Sequence, residues 1–579
     1  MYYNGQGVTQ DYKEALKWYR KAAVQGNAAA QHNIGFMYYN GQGVPQDSKK
    51  ALEWFHKAAA QGNATAQHKI GFMYHHGQGV TQDYKEALKW FRKAAAQGNA
   101  TTQHNIGSMY YHGQGVTQDY KEALKWYRKA AAQGNAESQG IIGVMYASGQ
   151  GVPQDYKEAL KWFRRAVAQG NAEVQAAVGA VIGDMYYEGR GVPQDYKEAL
   201  KWYHKAAAQE HAVAQRQIGI MYDNGRGVPQ DYKEALKWYR KAAAQGDPLA
   251  QRNIGSMYYH GQGVTKDYKE ALKWFRKAAA QGNAAAQLLI GIMYNYGQGV
   301  PQDYKEALKW YHKAAAQGDP LAQRNIGFMY DNGRGVPQDY KEALKWYRKA
   351  AAQGNADGQR SVGVMYDNGH GVTQDYKEAL KWYRKAADQG DIMSQILIGI
   401  MYARGLGTPK NRQRAAQWFN KVPETQITND PDLIVSLATG WWYNGNLEKA
   451  KALYQQGLAK FPQHKGLLSN DMELAFVEGD TTRSQERLIT LLALSKPKEQ
   501  DYQIALFYAW LQKPSRGTAN LLASIRQHPK SFVSWDFWAT LPKIKSLPEP
   551  TRSQALLFID FFAQKITLTE LETALQKNN

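Results

Sequence analysis

Histidines, recurring carboxylates and paired glycines are the residues of this sequence with the makings of chemistry. His75-His76, His104 and His112 could gather on neighbouring helices, and gathered imidazoles bind transition metals. A metal site also needs further ligands and fixed outer contacts, and no His-Glu-x-x-His occurs. No metal and no cofactor are therefore expected. Gly41-Gln42-Gly43 begins like a phosphate loop but lacks the third glycine and the Gly-Lys-Ser/Thr ending. It sits between helical segments, so a turn that uses glycine's conformational freedom is the simpler reading. Asp11 and Glu14 recur as a carboxylate pair, yet one suits a helix cap and the other suits Lys17 as a partner. There is no Gly-x-Ser-x-Gly and no cysteine, which excludes thiolate nucleophiles, thiolate metal sites and disulfides. No catalytic site is expected.

What positions these residues is a repeat. Trp18, Trp54, Trp90, Trp126 and Trp162 are 36 residues apart, as are Trp202, Trp238, Trp274, Trp310, Trp346, Trp382 and Trp418. Trp162 to Trp202 is a step of 40. The four extra residues fall in Gly179-Ala180-Val181-Ile182-Gly183, where neighbouring units have one glycine. Four residues make about one helical turn, so a local kink is expected there rather than a domain boundary.

Each unit holds two helices. From Asp11 to Gln25 the apolar residues Tyr12, Ala15, Leu16, Tyr19, Ala22 and Ala23 recur at spacings of three and four. Asp11 caps the start, Gly26 ends it, and Arg20 and Lys21 suit the negative end of the dipole. A second helix is predicted from about Ala28 to Tyr39, capped by Asn27, then a turn through Gly41-Gln42-Gly43-Val44-Pro45-Gln46 to the next cap, Asp47. A lone two-helix unit cannot bury its stripe, so neighbours must stack. The expected fold is all-α, a right-handed superhelical solenoid of two-helix repeats.

Ile34-Gly35 with Tyr38, followed by Ala51, Phe55 and Ala58, resembles the tetratricopeptide signature. The longer loop with Gly-x-Gly-Val-Pro and the Trp-Tyr/Phe pair make the sequence similar to the Sel-one-like branch of that superfamily. The resemblance covers residues 1–422, twelve Trp-bearing units of which the first is truncated. It implies an adaptor that is not an enzyme, and a bacterial protein. Envelope, secreted and cytoplasmic locations all fit. Residues 431–464 resemble a standard tetratricopeptide unit through Leu437-Ala438, Trp441, Gly445, Ala450, Tyr454 and Pro462, with Ile434 where the pattern prefers Trp. Two weaker units closing near Pro497 and Pro529 would extend this part over 431–530. Residues 531–579, with Trp535, Phe537, Trp538 and the stripe Leu556, Ile559, Phe562, read as capping helices.

At 44% hydrophobic and 21% charged residues the chain can bury a core, and no apolar stretch approaches the roughly 20 residues of a membrane-spanning helix. Charge is uneven: residues 421–579 hold 18 Lys and Arg against 16 Asp and Glu, which leaves +19 of the total +21 on the repeats. The opening Met1-Tyr2-Tyr3-Asn4 matches the middle of a later unit, so no signal peptide is visible and an upstream export signal is compatible with this start. A monomer is expected, or a weak dimer joined through apolar surface at that first unit.

Comparing units with one another marks a candidate surface. Gln31, Gly35, Met37 and Tyr38 recur almost unchanged, whereas the positions of residues 32, 36, 39 and 40 vary. Offsets of 0, 4, 7 and 8 share one helical face, which the resemblance makes the concave groove. The candidates are His32, Phe36 and Tyr39; His68, Phe72, His75 and His76; His104, Tyr111 and His112; Arg216, Asp223 and Asn224; Arg252, Tyr259 and His260; Arg324, Asp331 and Asn332; Arg360, Asp367 and Asn368. Aromatic contacts and hydrogen bonds from these residues would hold an extended polypeptide. Unconstrained drift of exposed positions is the competing account. The other partner class is an anionic polymer (nucleic acid, acidic glycan or membrane surface) on the Lys13, Lys17, Arg20 and Lys21 face repeated along the array.

Overall fold

The computed structural model describes residues 2–5, 7, 9–496, 499–512, 514–528 and 540–577, and among them only helices form, 33 in all. Pro497, Pro529, Trp535, Phe537 and Trp538 lie outside the described residues. The chain divides into two compact units, Met1–Ala286 and Gln287–Asn579.

In the first unit two kinds of helix alternate. The tryptophan helix, first Tyr12–Val24, begins where the Asp11 carboxylate accepts the backbone N–H groups of Lys13 and Glu14 at 2.9 and 3.0 Å. The glycine helix, first Ala28–Asn40, begins where the Asn27 side chain accepts from Ala30 N at 2.8 Å. Glycine is needed at two points for different reasons. A methyl group on Gly35 would stand 2.7 Å from the Phe55 ring, so its absence lets the glycine helix close onto the next tryptophan helix. Gly43 has φ +71° and passes so near Tyr12 that a Cβ would lie 2.7 Å from its carbonyl carbon.

Each step buries a small core. Ala51, Phe55, Ala58, Ala59, Ala66, Ile70 and Met73 form one, and Trp90 of the following unit packs against it. The tryptophans therefore close one unit onto the next. Glutamines sew the steps together: Gln31 Nε2 donates to Ala23 O at 3.3 Å, and its Oε1 accepts from Gln61 Nε2 at 2.7 Å. Gln97 to Gln67 and Gln133 to Gln103 repeat this bond at 3.0 and 2.8 Å.

The four extra residues lengthen one glycine helix to Ala172–Glu188, 17 residues against the usual 13, as one unbroken α-helix. Its far end keeps the common register, because a methyl on Gly183 would sit 2.5 Å from Tyr203, as Gly35 meets Phe55. Its start keeps the register too, with Gln175 Nε2 donating to Val167 O at 3.3 Å, so the extra turn lies between Gln175 and Gly183.

In the second unit the same alternation runs through Arg412–Asn420. Phe419 and Trp441 then pack at 5.1 Å, joining the last repeat to Pro431–Tyr443 and Leu447–Lys460 through one core that includes Ile434, Leu437, Ala438, Ala450 and Tyr454. A second core gathers Met472, Ile504, Phe507, Trp510, Phe558 and Phe562. In the helix Thr551–Phe562 the buried stripe is Ala555, Phe558, Phe561 and Phe562. Of the predicted stripe only Phe562 is buried; Leu556 and Ile559 are half-buried, because the helix is rotated about one residue from the expected face. No helix among the described residues is long and apolar enough to cross a membrane.

Candidate functional site

The variable positions lie on the glycine helices, and the structure divides them into two groups. Several of those equivalent to residues 32 and 39 reach the next repeat. His68 Nδ1 meets Thr102 Oγ1 at 2.8 Å, and His104 Nδ1 meets Ser138 Oγ at 2.9 Å with Glu137 3.5 Å from Nε2. Arg216 Nε donates to the Asp247 carboxylate at 3.2 Å, and Arg360 bridges Asp357 and Asp391. Tyr39 donates to Gln78 Oε1 at 2.5 Å, Tyr111 to Gln150 Oε1 at 2.6 Å, and His75 Nε2 meets Gln114 Oε1 at 3.0 Å. Tyr259 stacks edge-on with Tyr268 and His260. Where aspartate replaces tyrosine it accepts from a buried phenol instead: Asp223 from Tyr239, Asp331 from Tyr347 and Asp367 from Tyr383, at 3.1, 3.2 and 3.0 Å. The signal that these positions are partly structural was the 36-residue period itself, which places a partner from the next unit beside each.

Burial sets their protonation. His68 is pushed down to about 4, and His32 and His104 are lowered too, all chiefly by desolvation. Asp223, Asp331 and Asp367 are raised for the same reason. His32 stacks on Phe36, and the ring Nε2 is buried without a partner. Arg324 lies over Phe328 and donates to Asn325, while Nε of Arg252 and of Arg324 is buried without a hydrogen-bond partner.

The second group faces solvent. His76, His112, Asn224, His260, Asn332 and Asn368 are exposed, and Phe36 and Phe72 are half-buried with the Lys69 ammonium 5.7 Å from each ring. His112, Asn224 and Asn332 turn back onto backbone carbonyls of their own helices. The variable positions left facing solvent are thus those equivalent to residues 36 and 40.

The same helices hold what the sequence comparison missed. Of the ten large apolar side chains left exposed among the described residues, six are on glycine helices: Val144, Val181, Val213, Leu249, Tyr296 and Leu321. At the lengthened helix two of them, Val144 and Val181, line a pocket of about 400 Å³ with Gly140, Ile141, Phe163, Val174, Ala177, Val178, Glu137 and Glu173. The glutamine seam stops here. Gln139 Oε1 is buried without a partner, and Gln169 makes no bond to it. The legible signals were the insertion and Gly140, which stands where most other units carry His or Arg and two carry Leu288 and Ile396.

The tryptophan helices carry the basic face. Lys21, Lys57, Lys93 and Lys129 lie 4.0–4.5 Å over the rings of Trp18, Trp54, Trp90 and Trp126, and the pairing continues to Lys421 over Trp418. Lys17 pairs with Glu14 at 2.8 Å, and Arg20 donates to the Tyr38 hydroxyl at 3.0 Å.

The Sel1 repeat model matches twelve consecutive segments spanning residues 1–421, from 1–27 and 28–63 through 172–211 to 392–421. The chain belongs to the Sel1 repeat family. A protective antigen of uropathogenic Escherichia coli strains, c5321, whose crystal structure displays an SLR fold, is 35% identical, with 77% of this chain and 94% of that one covered and a TM-score of 0.62. A Sel1 repeat protein from Oxalobacter formigenes is 34% identical over 54% of this chain and 90% of its own, with a TM-score of 0.45. No curated protein matches the chain. Sel1 repeat proteins are generally protein-interaction scaffolds and typically non-catalytic.

Proposed function

We propose that the chain is a non-catalytic scaffold that holds a polypeptide partner along the exposed face of its glycine helices. The observation that carries this reading is the placing of exposed apolar side chains. Val144, Val181, Val213, Leu249, Tyr296 and Leu321 are left in water on the glycine helices, while the tryptophan helices present lysine and expose Trp18 and Val24 on the first of them. Where such groups adjoin, as Val144 and Val181 do around one pocket, they form an apolar patch of the kind that marks interaction surfaces. The bonded positions beneath them hold the scaffold rigid, which lowers the entropy lost when a partner docks.

The test is capture of proteins from a lysate of the source bacterium, at low and high salt, with the full chain and with V213S/L249S/L321S. Discrete polypeptides retained at high salt and lost from the triple variant are the expected outcome. Capture unchanged by the variant would remove this face from the function. The Arg216, Arg252 and Arg324 positions are poorer targets, because Arg216 is half of an ion pair whose Asp247 also caps a helix.

A second reading rests on a basic groove of about 450 Å³ lined by Lys341, Lys345, Arg348 and Lys349, which would suit an anionic polymer. Three of the four cations are already engaged: Lys345 with Glu342, Arg348 with the Tyr366 hydroxyl and Lys349 over Trp346. Polyanion retained only at low salt in the same capture would favour it, since such binding falls steeply with ionic strength.

A further inference from the structure

We propose that the pocket at the lengthened helix is an anchor site for one apolar side chain of the polypeptide partner, presented between basic residues. The inference rests on the reading of the glycine-helix face as a polypeptide-binding surface, and gives one step of that face a specificity.

The pocket exists because two local changes coincide. The helix Ala172–Glu188 carries an extra turn, and the preceding glycine helix, Ala136–Ser148, has Gly140 where its neighbours have His68, His104 or Arg216. A Cβ on Gly140 would lie 3.3 Å from Val178 Cγ2, so a longer side chain there would fill the gap. The contact between repeats that His68 makes with Thr102 has no counterpart from Gly140, and the glutamine seam is broken beside it. The lining left over is apolar, with Val144 and Val181 still 43% and 36% exposed. A volume of about 400 Å³ lies within the roughly 300–1,000 Å³ usual for ligand pockets.

The occupant's flanks follow from charge. Glu137 and Glu173 line the pocket, both exposed, and no cation does. Both lie two residues past a helix cap, where the other units of this half carry Ala29, Thr65, Thr101, Val213 and Leu249. The neighbour of Glu137 is His104, whose ring burial holds neutral; Glu173 has no partner among the described residues. In a chain of net charge +21 this is a local reversal of sign. A polypeptide with Lys or Arg beside a Leu- or Phe-sized anchor answers both features.

The experiment is a fluorescence-anisotropy titration of the full chain with three labelled peptides in a Gly/Ser background, centred on Lys-Leu-Lys, Lys-Gln-Lys and Glu-Leu-Glu. The chain's overall field favours the Glu-flanked probe, so preference for Lys-Leu-Lys can arise only from the local carboxylates. Lys-Leu-Lys is expected to bind at least about tenfold tighter than either control. That margin should vanish in A177W, which fills the pocket from an exposed position, and in E137K/E173K, which reverses its charge without touching the apolar wall. Excision of residues 179–182, which restores the 36-residue step, should abolish it as well. Circular dichroism confirms that each variant is folded. Equal binding of the three probes, no binding, or a margin that survives both A177W and the double charge reversal overturns the proposal. Absence of any Lys-Leu-Lys margin in a chain whose lysate capture still depends on Val213, Leu249 and Leu321 overturns the anchor site alone; capture unchanged by V213S/L249S/L321S overturns the reading on which it rests.

Discussion

The step from the helix Ala64–His76 to Ala100–His112 and the step from Ala136–Ser148 to Ala172–Glu188 use the same scaffold to different ends. In the first, His68 grips Thr102, His75 grips Gln114 and Gln97 grips Gln67, so the variable side chains become part of the seam between repeats. In the second, Gly140 has no side chain to give, Gln139 keeps a bare carbonyl oxygen, and an apolar pocket opens. A repeat array that is uniform cannot distinguish one part of a partner from another. The seam is interrupted on both sides of the lengthened helix, where neither Gln169 and Gln139 nor Gln209 and Gln175 are bonded, and this stretch differs from the rest of the array.

Acid should separate the bonded steps most strongly. His68 stays neutral in the folded protein down to about pH 4 because charging it there would bury a cation, whereas in the unfolded chain it titrates at its ordinary 6.5. Its stabilising contribution is therefore complete above pH 6.5 and is lost as the pH falls from 6.5 toward 4, by about 2 kcal/mol at pH 5. Asp331 and Asp367 are raised by burial, so the folded state binds their protons first and acid favours it there. Hydrogen exchange at pH 7 and pH 5 should show protection falling in Ala64–His76 but not in Pro320–Asp331. Equal change in both would mean that histidine burial does not govern the first.

A pair of substitutions in one helix sharpens the contrast further. Gly183→Ala places a methyl 2.5 Å from Tyr203 and is expected to destabilise by about 1–3 kcal/mol. Gly179→Ala meets nothing nearer than 3.5 Å and should stabilise by about 0.5–1 kcal/mol through helix propensity. Urea unfolding followed by circular dichroism reads both; two shifts of one sign would mean that the extra turn lies elsewhere in the helix. The smallest difference concerns the seam. Gln97→Ala removes a bond to buried Gln67 and should destabilise by about 1 kcal/mol, while Gln169→Ala, at the broken step, should stay within about 0.5 kcal/mol.

The helices were legible because their ends are encoded locally. Asp11 and Asn27 cap where expected, Gly26 and Gly41 stop the helices with positive φ, and the Glu14–Lys17 pair forms at 2.8 Å. The last stripe was misjudged by one residue because the helix Thr551–Phe562 packs on Phe507 and Trp510, contacts distant in sequence. The variable positions were all read as available to a partner, whereas His68, His104, Tyr39, Tyr111 and Arg216 are engaged with the next repeat.

The sequence by itself determined the period, the two helices of each unit, the sign of each face and the site of the irregular step, because caps, turns and apolar spacing act within a dozen residues. Only the tertiary structure decided which variable side chains remain free and where the apolar pocket opens. Those outcomes depend on what stands opposite each residue, and that neighbour lies some 30 to 40 residues away, brought close by stacking alone.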